Sequence, residues 1–255
     1  MSHSNSGHPS RPHLSVDTTI TPSNSIAPEL SKPSSPITPT RGTTLGNLLL
    51  SSCPGKKVRL DGPVRGRSAV CRDLESDLRR MKDQGIGCIV CCLDDSEMEF
   101  LGAPWPEYER VTKMIGLDVL RLPTPEGLPP TLSPSYLDVE LTSLIERYTL
   151  RGIPVLVHCR GGVGRAGVIA CCWILKLGLC GWLDSDDAEY TEFSLLAAPS
   201  ESNTTKPNLG TLRLVEKVIS VIRRRRGAKA VETYEQAKFL VDYVQFLSKK
   251  SRHTP

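Results

Sequence analysis

The residues best suited to do chemistry lie in one stretch, His158-Cys159-Arg160-Gly161-Gly162-Val163-Gly164-Arg165. Three glycines between Cys159 and Arg165 let the backbone curl closely around a tetrahedral oxyanion without side-chain obstruction. In such a curl, successive N–H groups of residues 160–164 and the start of a following helix converge on the anion. Cys159 then lies beneath the phosphorus, and the Arg165 guanidinium grips two phosphate oxygens as a fork. The same amides favour a thiolate over a thiol. The chemistry this predicts is in-line attack of the Cys159 sulfur on phosphorus, release of an alcohol, and hydrolysis of the resulting phosphocysteine, without metal or organic cofactor. The bland alternative is a glycine-rich turn with an incidental Cys and Arg. The apolar strand before the loop and the apolar helix after it argue against that, and the absence of a Gly-Lys-Ser/Thr ending excludes a nucleotide-binding phosphate loop of the Walker type.

The elements that must position this loop are visible as hydrophobic patterning. Val155-Leu156-Val157 reads as the strand leading into it, and Ala166 to Leu177 as the helix leading out. Upstream, Leu48-Leu49-Leu50 and the run from Ile86 to Leu93 read as strands, the latter covered on both faces. Leu117 to Leu122 reads as a further strand. Helical spacing appears over about 71–84, 106–115, 136–148, 211–226 and 231–247. Strands alternating with helices predict an α/β domain with a central, mostly parallel sheet flanked by helices on both faces, its ligand site beyond the carboxyl ends of the strands.

Composition sets the outer limits. With 255 residues, 39% of them hydrophobic, the chain can bury one good core. We expect a Ser/Thr/Pro-rich disordered arm over 1–42, a domain over 43–250 with a loop insertion at about 181–209, and a tail over 251–255. A net charge of +4 spread along the chain does not resemble a nucleic-acid surface. No apolar run approaches the roughly 20 residues that span a bilayer. A soluble monomer of the cytoplasm or nucleus is expected, its nine cysteines reduced and Cys88, Cys91, Cys92, Cys171 and Cys172 buried as small hydrophobes. His158 is the lone histidine of the body, since His3, His8, His13 and His253 fall near the ends; this disfavours a histidine metal site and a separate catalytic histidine. Arg223 to Arg226 read as a solvated helix end, where cations are favoured by the helix dipole.

The Cys159-x5-Arg165 spacing after His158 resembles the signature of the protein tyrosine and dual-specificity phosphatases, and Gly-Gly-Val-Gly within it resembles the cyclin-dependent-kinase-associated phosphatases. The likeness spans about Leu45 to Leu247 and includes Gly85-Ile86-Gly87-Cys88-Ile89-Val90 and Ala230 to Gln236. It implies Cys159 as nucleophile, Arg165 as phosphate clamp and His158 as a structural neighbour of the thiol. It further implies a general acid on the Glu126 loop, with Asp118 and Asp138 as rivals, and Gln236 as a residue that positions water. Two departures stand out: Glu126 occupies the place where the family usually has Asp, and Ala166 the place where it commonly has Ser or Thr. Two readings therefore stay open, a protein phosphatase and a phosphoprotein-binding pseudophosphatase. A phosphoinositide phosphatase is less consistent, because the loop has no lysine to meet extra phosphates. As partner, the resemblance implies a phosphorylated protein, specifically a phosphothreonine on the activation loop of a cyclin-dependent kinase. The proline-directed sites Thr21, Ser35 and Thr38 are further candidates for modification.

Overall fold

The computed structural model describes residues 44–180 and 208–252. The expected arm with its Ser/Thr-Pro sites, nearly all of the expected insertion, and residues 253–255 lie outside the described residues. The central sheet has four parallel strands in the order β1 (Leu48–Ser52), β6 (Val155–Cys159), β4 (Cys88–Cys91), β5 (Asp118–Arg121). All residues of β4 and β6 are buried, as strands covered on both faces require. Helices α1 (Leu74–Asp83) and α3 (Trp105–Ile115) pack together, α3 also against β5. Helices α4 (Pro134–Arg147), α5 (Gly164–Lys176), α6 (Leu209–Arg226) and α7 (Tyr234–Arg252) form the second set, in which α5 lies on β6 and β1. The α/β sheet flanked by helices is the architecture that the alternating pattern predicts.

Element boundaries differ from the periodicity for local reasons. The helix expected from Cys71 starts at Leu74, because Asp73 caps it by accepting the Ser76 N–H at 2.7 Å. Val70–Cys71 instead form β3, antiparallel to β2 (Lys57–Val58). The six-residue helix α2 (Asp95–Phe100) stands where the sequence predicts only a strand end. Its signal is Asp94, three residues before Glu97, whose Oδ1 accepts the Glu97 N–H at 2.8 Å. Strand β6 runs on through His158 and Cys159, since Ser51 and Ser52 of β1 continue the pairing. The insertion ends at Asn208, which caps α6 through the Thr211 N–H. Among the described residues no helix is long and apolar enough to cross a membrane.

Asp138, on α4, is 1% exposed. Lys176 of α5 binds one carboxylate oxygen, Lys250 of α7 the other at 2.7 Å, and the Tyr243 hydroxyl approaches at 3.3 Å, so one carboxylate ties three helices together. Burial would raise this carboxyl, but the lysine hydrogen bonds outweigh it and hold it below the usual range. A carboxyl so depressed adds stability above the unfolded value of about 3.9, and that stability is lost as pH falls through the folded value. Asp138→Asn is expected to cost about 2–4 kcal/mol, because it leaves Lys176 partly buried without its counter-charge. Thermal melts check this, and the variant's melting temperature should depend less on pH below about 4.

Candidate active site

The carboxyl end of β6 delivers Cys159, and the chain turns through 160–163 into the first residue of α5, Gly164. The turn depends on Gly162, which has a φ of +68°. A Cβ there would lie 2.2 Å from the Ser51 carbonyl oxygen, so a side chain would collide with β1 even if the backbone strain were tolerated. The Gly162 N–H donates to the Cys159 Sγ at 3.2 Å. One amide of the cradle is therefore already aimed at the sulfur. Burial pushes Cys53 and Cys88 up to about 12 and Cys91 to about 11, which keeps them as thiols.

Arg165, on the first turn of α5, is 4% exposed and its donors are divided. Nη1 donates to Glu97 Oε2 at 2.6 Å and Nη2 to Glu97 Oε1 at 2.8 Å, a fork on the end of the guanidinium. The other Nη1 hydrogen goes to the Thr124 carbonyl at 2.7 Å. What remains is the side edge, Nε–H and the second Nη2–H, two parallel donors spaced for two oxygens of a phosphate. Burial works against the Arg165 charge, and the Glu97 carboxylate more than restores it. Glu97 is the site residue that sequence reasoning missed. It comes from α2, the unexpected helix, and the Asp94-to-Glu97 spacing that caps α2 was the available clue.

His158 is buried, with Nε2 3.1 Å from the hydroxyl of the equally buried Tyr108. Burial pushes its imidazole down to about 3, so the ring is neutral at neutral pH and serves as packing beside the thiol. Glu126 sits on the loop after β5, 67% exposed on its side chain, and its Oε2 accepts from Arg160 Nη1 at 3.3 Å. The fold thus brings Glu126 to the rim of the Cys159 loop. It does not bring the two rivals there. Asp118 starts β5 level with Cys88 and so with Val155, roughly 13 Å along the strand direction from Cys159, and it is engaged by Tyr148. Asp138 is the structural carboxylate described above. Gln236 is buried with both ends of its amide in use: Oε1 accepts the Glu232 N–H at 2.8 Å and Nε2 donates to the Leu128 carbonyl at 3.2 Å. Together with the Thr233 hydroxyl on the Gly127 carbonyl, it braces the Glu126 loop against α7. A separate cleft of about 920 Å³ between α6 and α7 shares Glu232 and Thr233 with this brace but contains no residue of the Cys159 loop.

Two changes test this geometry. Glu97→Gln keeps the size of the group but removes the charge that seats Arg165, and a fall of about 10- to 100-fold in kcat/KM is expected from loss of charge-assisted hydrogen bonding, measured on a small aryl phosphate. For His158, a folded value far below its unfolded 6.5 means that the unfolded chain takes up a proton first as pH falls. Stability is therefore lost from about pH 6.5 downward, and denaturant titrations of His158→Asn should show a flatter dependence between pH 6.5 and 4.

The family model described as the DSP-PTPase phosphatase domain of Swiss Army Knife proteins matches residues 69–209, more than half of the chain. No curated protein sequence matches. Among solved structures, the chain is similar to kinase associated phosphatase, crystallised with its catalytic-site cysteine replaced by serine. The identity is 22% and the TM-score 0.53, covering 82% of this chain and 89% of that one. It also matches Tk-PTP in its active form at 25% identity and a TM-score of 0.43, covering 69% of this chain and 90% of that one. PTPMT1 matches at 15% identity and a TM-score of 0.49, covering 81% of this chain and 95% of that one. The kinase associated phosphatase shares the fold, and the matched family model assigns the domain: the chain belongs to the cysteine-dependent dual-specificity and tyrosine phosphatases.

Proposed function

We propose that this phosphatase domain hydrolyses phosphate esters on proteins through a phosphocysteine at Cys159. The observation that carries the reading is the division of labour at Arg165. Glu97 and the Thr124 carbonyl take three of its donors and leave the side edge for two phosphate oxygens, while Cys159 receives the Gly162 N–H. In the forward step the sulfur attacks phosphorus in line, the ester oxygen leaves with a proton, and the equatorial oxygens stay on the loop amides and Arg165. Glu126 is the proposed proton donor. Its contact with Arg160 holds it at the rim of the Cys159 loop, within reach of a leaving oxygen. Water then hydrolyses the phosphocysteine. No metal or organic cofactor is assigned to either step, and the cytoplasm or nucleus is the proposed compartment.

Cys159→Ser and Arg165→Ala are each expected to abolish turnover, with Cys159→Ser still retaining phosphopeptide in a pull-down because the amide cradle and Arg165 survive. Measurable hydrolysis by Cys159→Ser would overturn the reading. Glu126→Gln should slow substrates with poor leaving groups by about 10²- to 10⁴-fold and spare activated aryl phosphates.

A second reading, phosphoprotein binding without efficient turnover, is favoured by Ala166. It is fully buried on the first turn of α5, where the family commonly offers a hydroxyl to the departing sulfur. A burst of alcohol followed by slow phosphate release, accelerated in Ala166→Ser, decides for it.

The finer proposal concerns the substrate: a phosphothreonine on the activation loop of a cyclin-dependent kinase, docked protein to protein. It is supported by the Gly-Gly-Val-Gly loop and by the fold shared with kinase associated phosphatase. If docking supplies the recognition, kcat/KM on the intact phosphorylated kinase should exceed that on its activation-loop phosphopeptide by about 100-fold or more, since remote contacts contribute to orientation at phosphorus. Equal values would remove the kinase from the assignment.

A further inference from the structure

Three successive carbonyls of the Cys159 loop point away from the cradle, and each ends on a cation. Lys56 Nζ donates to the Arg160 oxygen at 3.0 Å, Arg226 Nη2 to the Gly161 oxygen at 3.0 Å, and Arg226 Nε to the Gly162 oxygen at 2.7 Å. Lys56 follows β1, whereas Arg226 is the last residue of α6, so the two reach the loop from remote parts of the sequence. Sequence patterning treats the Arg223–Arg226 run as a solvated terminus. Two of its members are engaged: Arg223 holds the Ala230 and Val231 carbonyls at 3.0 Å each, and Arg226 holds the loop.

We propose that Lys56 and Arg226 form a cationic collar that positions the anion cradle, acting on the thiolate and the phosphate through the loop backbone. The reason is the geometry of the peptide unit. In a planar trans peptide the C=O and the following N–H point in opposite directions. Holding the Gly161 oxygen outside therefore turns the Gly162 N–H inward, where it meets Cys159 Sγ at 3.2 Å. Holding the Gly162 oxygen turns the Val163 N–H to the same concave side, and holding the Arg160 oxygen does so for the Gly161 N–H. Each cation also polarises the peptide it grips, which strengthens the opposite donor. Gly162 is part of the device, since a Cβ there would come within 2.9 Å of Arg226 Nη2 as well as striking Ser51. Burial and the nearby Arg160 hold Lys56 below the usual lysine range, consistent with a lysine kept close to the loop. Neither residue touches the reacting atoms, so both are positioning residues.

The proposal rests on the phosphatase reading, but its test does not need turnover. Alkylation by iodoacetamide at pH 6 is followed on the Cys159 peptide by mass spectrometry, with and without inorganic phosphate as the protecting anion. In Arg226→Ala, alkylation of Cys159 is expected to slow about tenfold, with the difference closing at high pH, and the phosphate needed for protection to rise about tenfold. Arg226→Lys, which reaches one carbonyl, should recover part of both effects, and Lys56→Met should show a smaller loss of the same kind. Arg225→Ala removes an equal charge from the neighbouring exposed position and should behave as wild type. Alkylation of the buried Cys91, Cys92, Cys171 and Cys172 in the same digests reports unfolding, so a loss caused by instability is recognised as such. Wild-type rates and protection in Arg226→Ala would overturn the collar, as would an equal loss in Arg225→Ala, which would reduce it to long-range charge. Fast, phosphate-protected alkylation of a wild-type protein without turnover would instead sink the phosphatase reading and leave the collar standing.

Discussion

A thiolate and a phosphate dianion repel each other and are both costly to remove from water, so an active site that brings them together must replace that water with fixed dipoles. In the proposed site the dipoles are backbone N–H groups of one short loop, of which the Gly162 N–H already meets Cys159 Sγ, and the requirement that they face inward bears on the surrounding structure. It demands a strand end at Cys159, a left-handed residue at Gly162, close approach to Ser51 of β1, and a helix beginning at Gly164. It also demands that the loop carbonyls face outward. Left to water they would be free to rotate, whereas Lys56 and Arg226 hold them.

The same economy governs Arg165. An arginine that is 4% exposed cannot have idle donors without cost, yet a phosphate clamp needs donors in reserve. Glu97 resolves the conflict by taking the end of the guanidinium and keeping it charged, while the Thr124 carbonyl takes the remaining Nη1 hydrogen. The Thr124 contact ties the clamp to the loop that carries Glu126, and the Glu126 loop is tied in turn to α7 by Thr233 and Gln236. The proposed clamp, the proposed acid and the carboxyl-terminal helix thus share one hydrogen-bonded frame.

The three carboxylates considered as proton donors show how environment assigns roles. Asp138 is buried between two lysines and serves the helix packing, Asp118 stands at the opposite end of the sheet, and Glu126 is exposed at the rim beside Arg160. A proton donor must pick up protons from water between turnovers and reach the leaving oxygen. The rim position fits the proton-donor role proposed for Glu126, and its extra methylene relative to Asp lengthens the reach from the loop.

The sequence alone determined the α/β class, the order of the four sheet strands and the longer helices, and the loop from Cys159 to Arg165, because each is local: a strand's apolar run, a helix's repeat and a glycine's freedom are properties of neighbouring residues. Glu126 entered only through the family resemblance, with Asp118 and Asp138 as rivals, and of the three it is the fold that brings Glu126 beside the Cys159 loop. Tertiary structure decided which distant residues complete the site. Glu97 is 68 residues from Arg165, Arg226 is 64 from Gly162, and Lys56 is 104 from Arg160. No periodicity links such pairs; they meet because parallel strands deliver all their carboxyl ends to one edge of the sheet and because α6 ends beside the loop. For the same reason the Arg223–Arg226 run is exposed as the sequence predicts, yet a helix end reveals only its charge and not the carbonyls that the fold brings within reach of it.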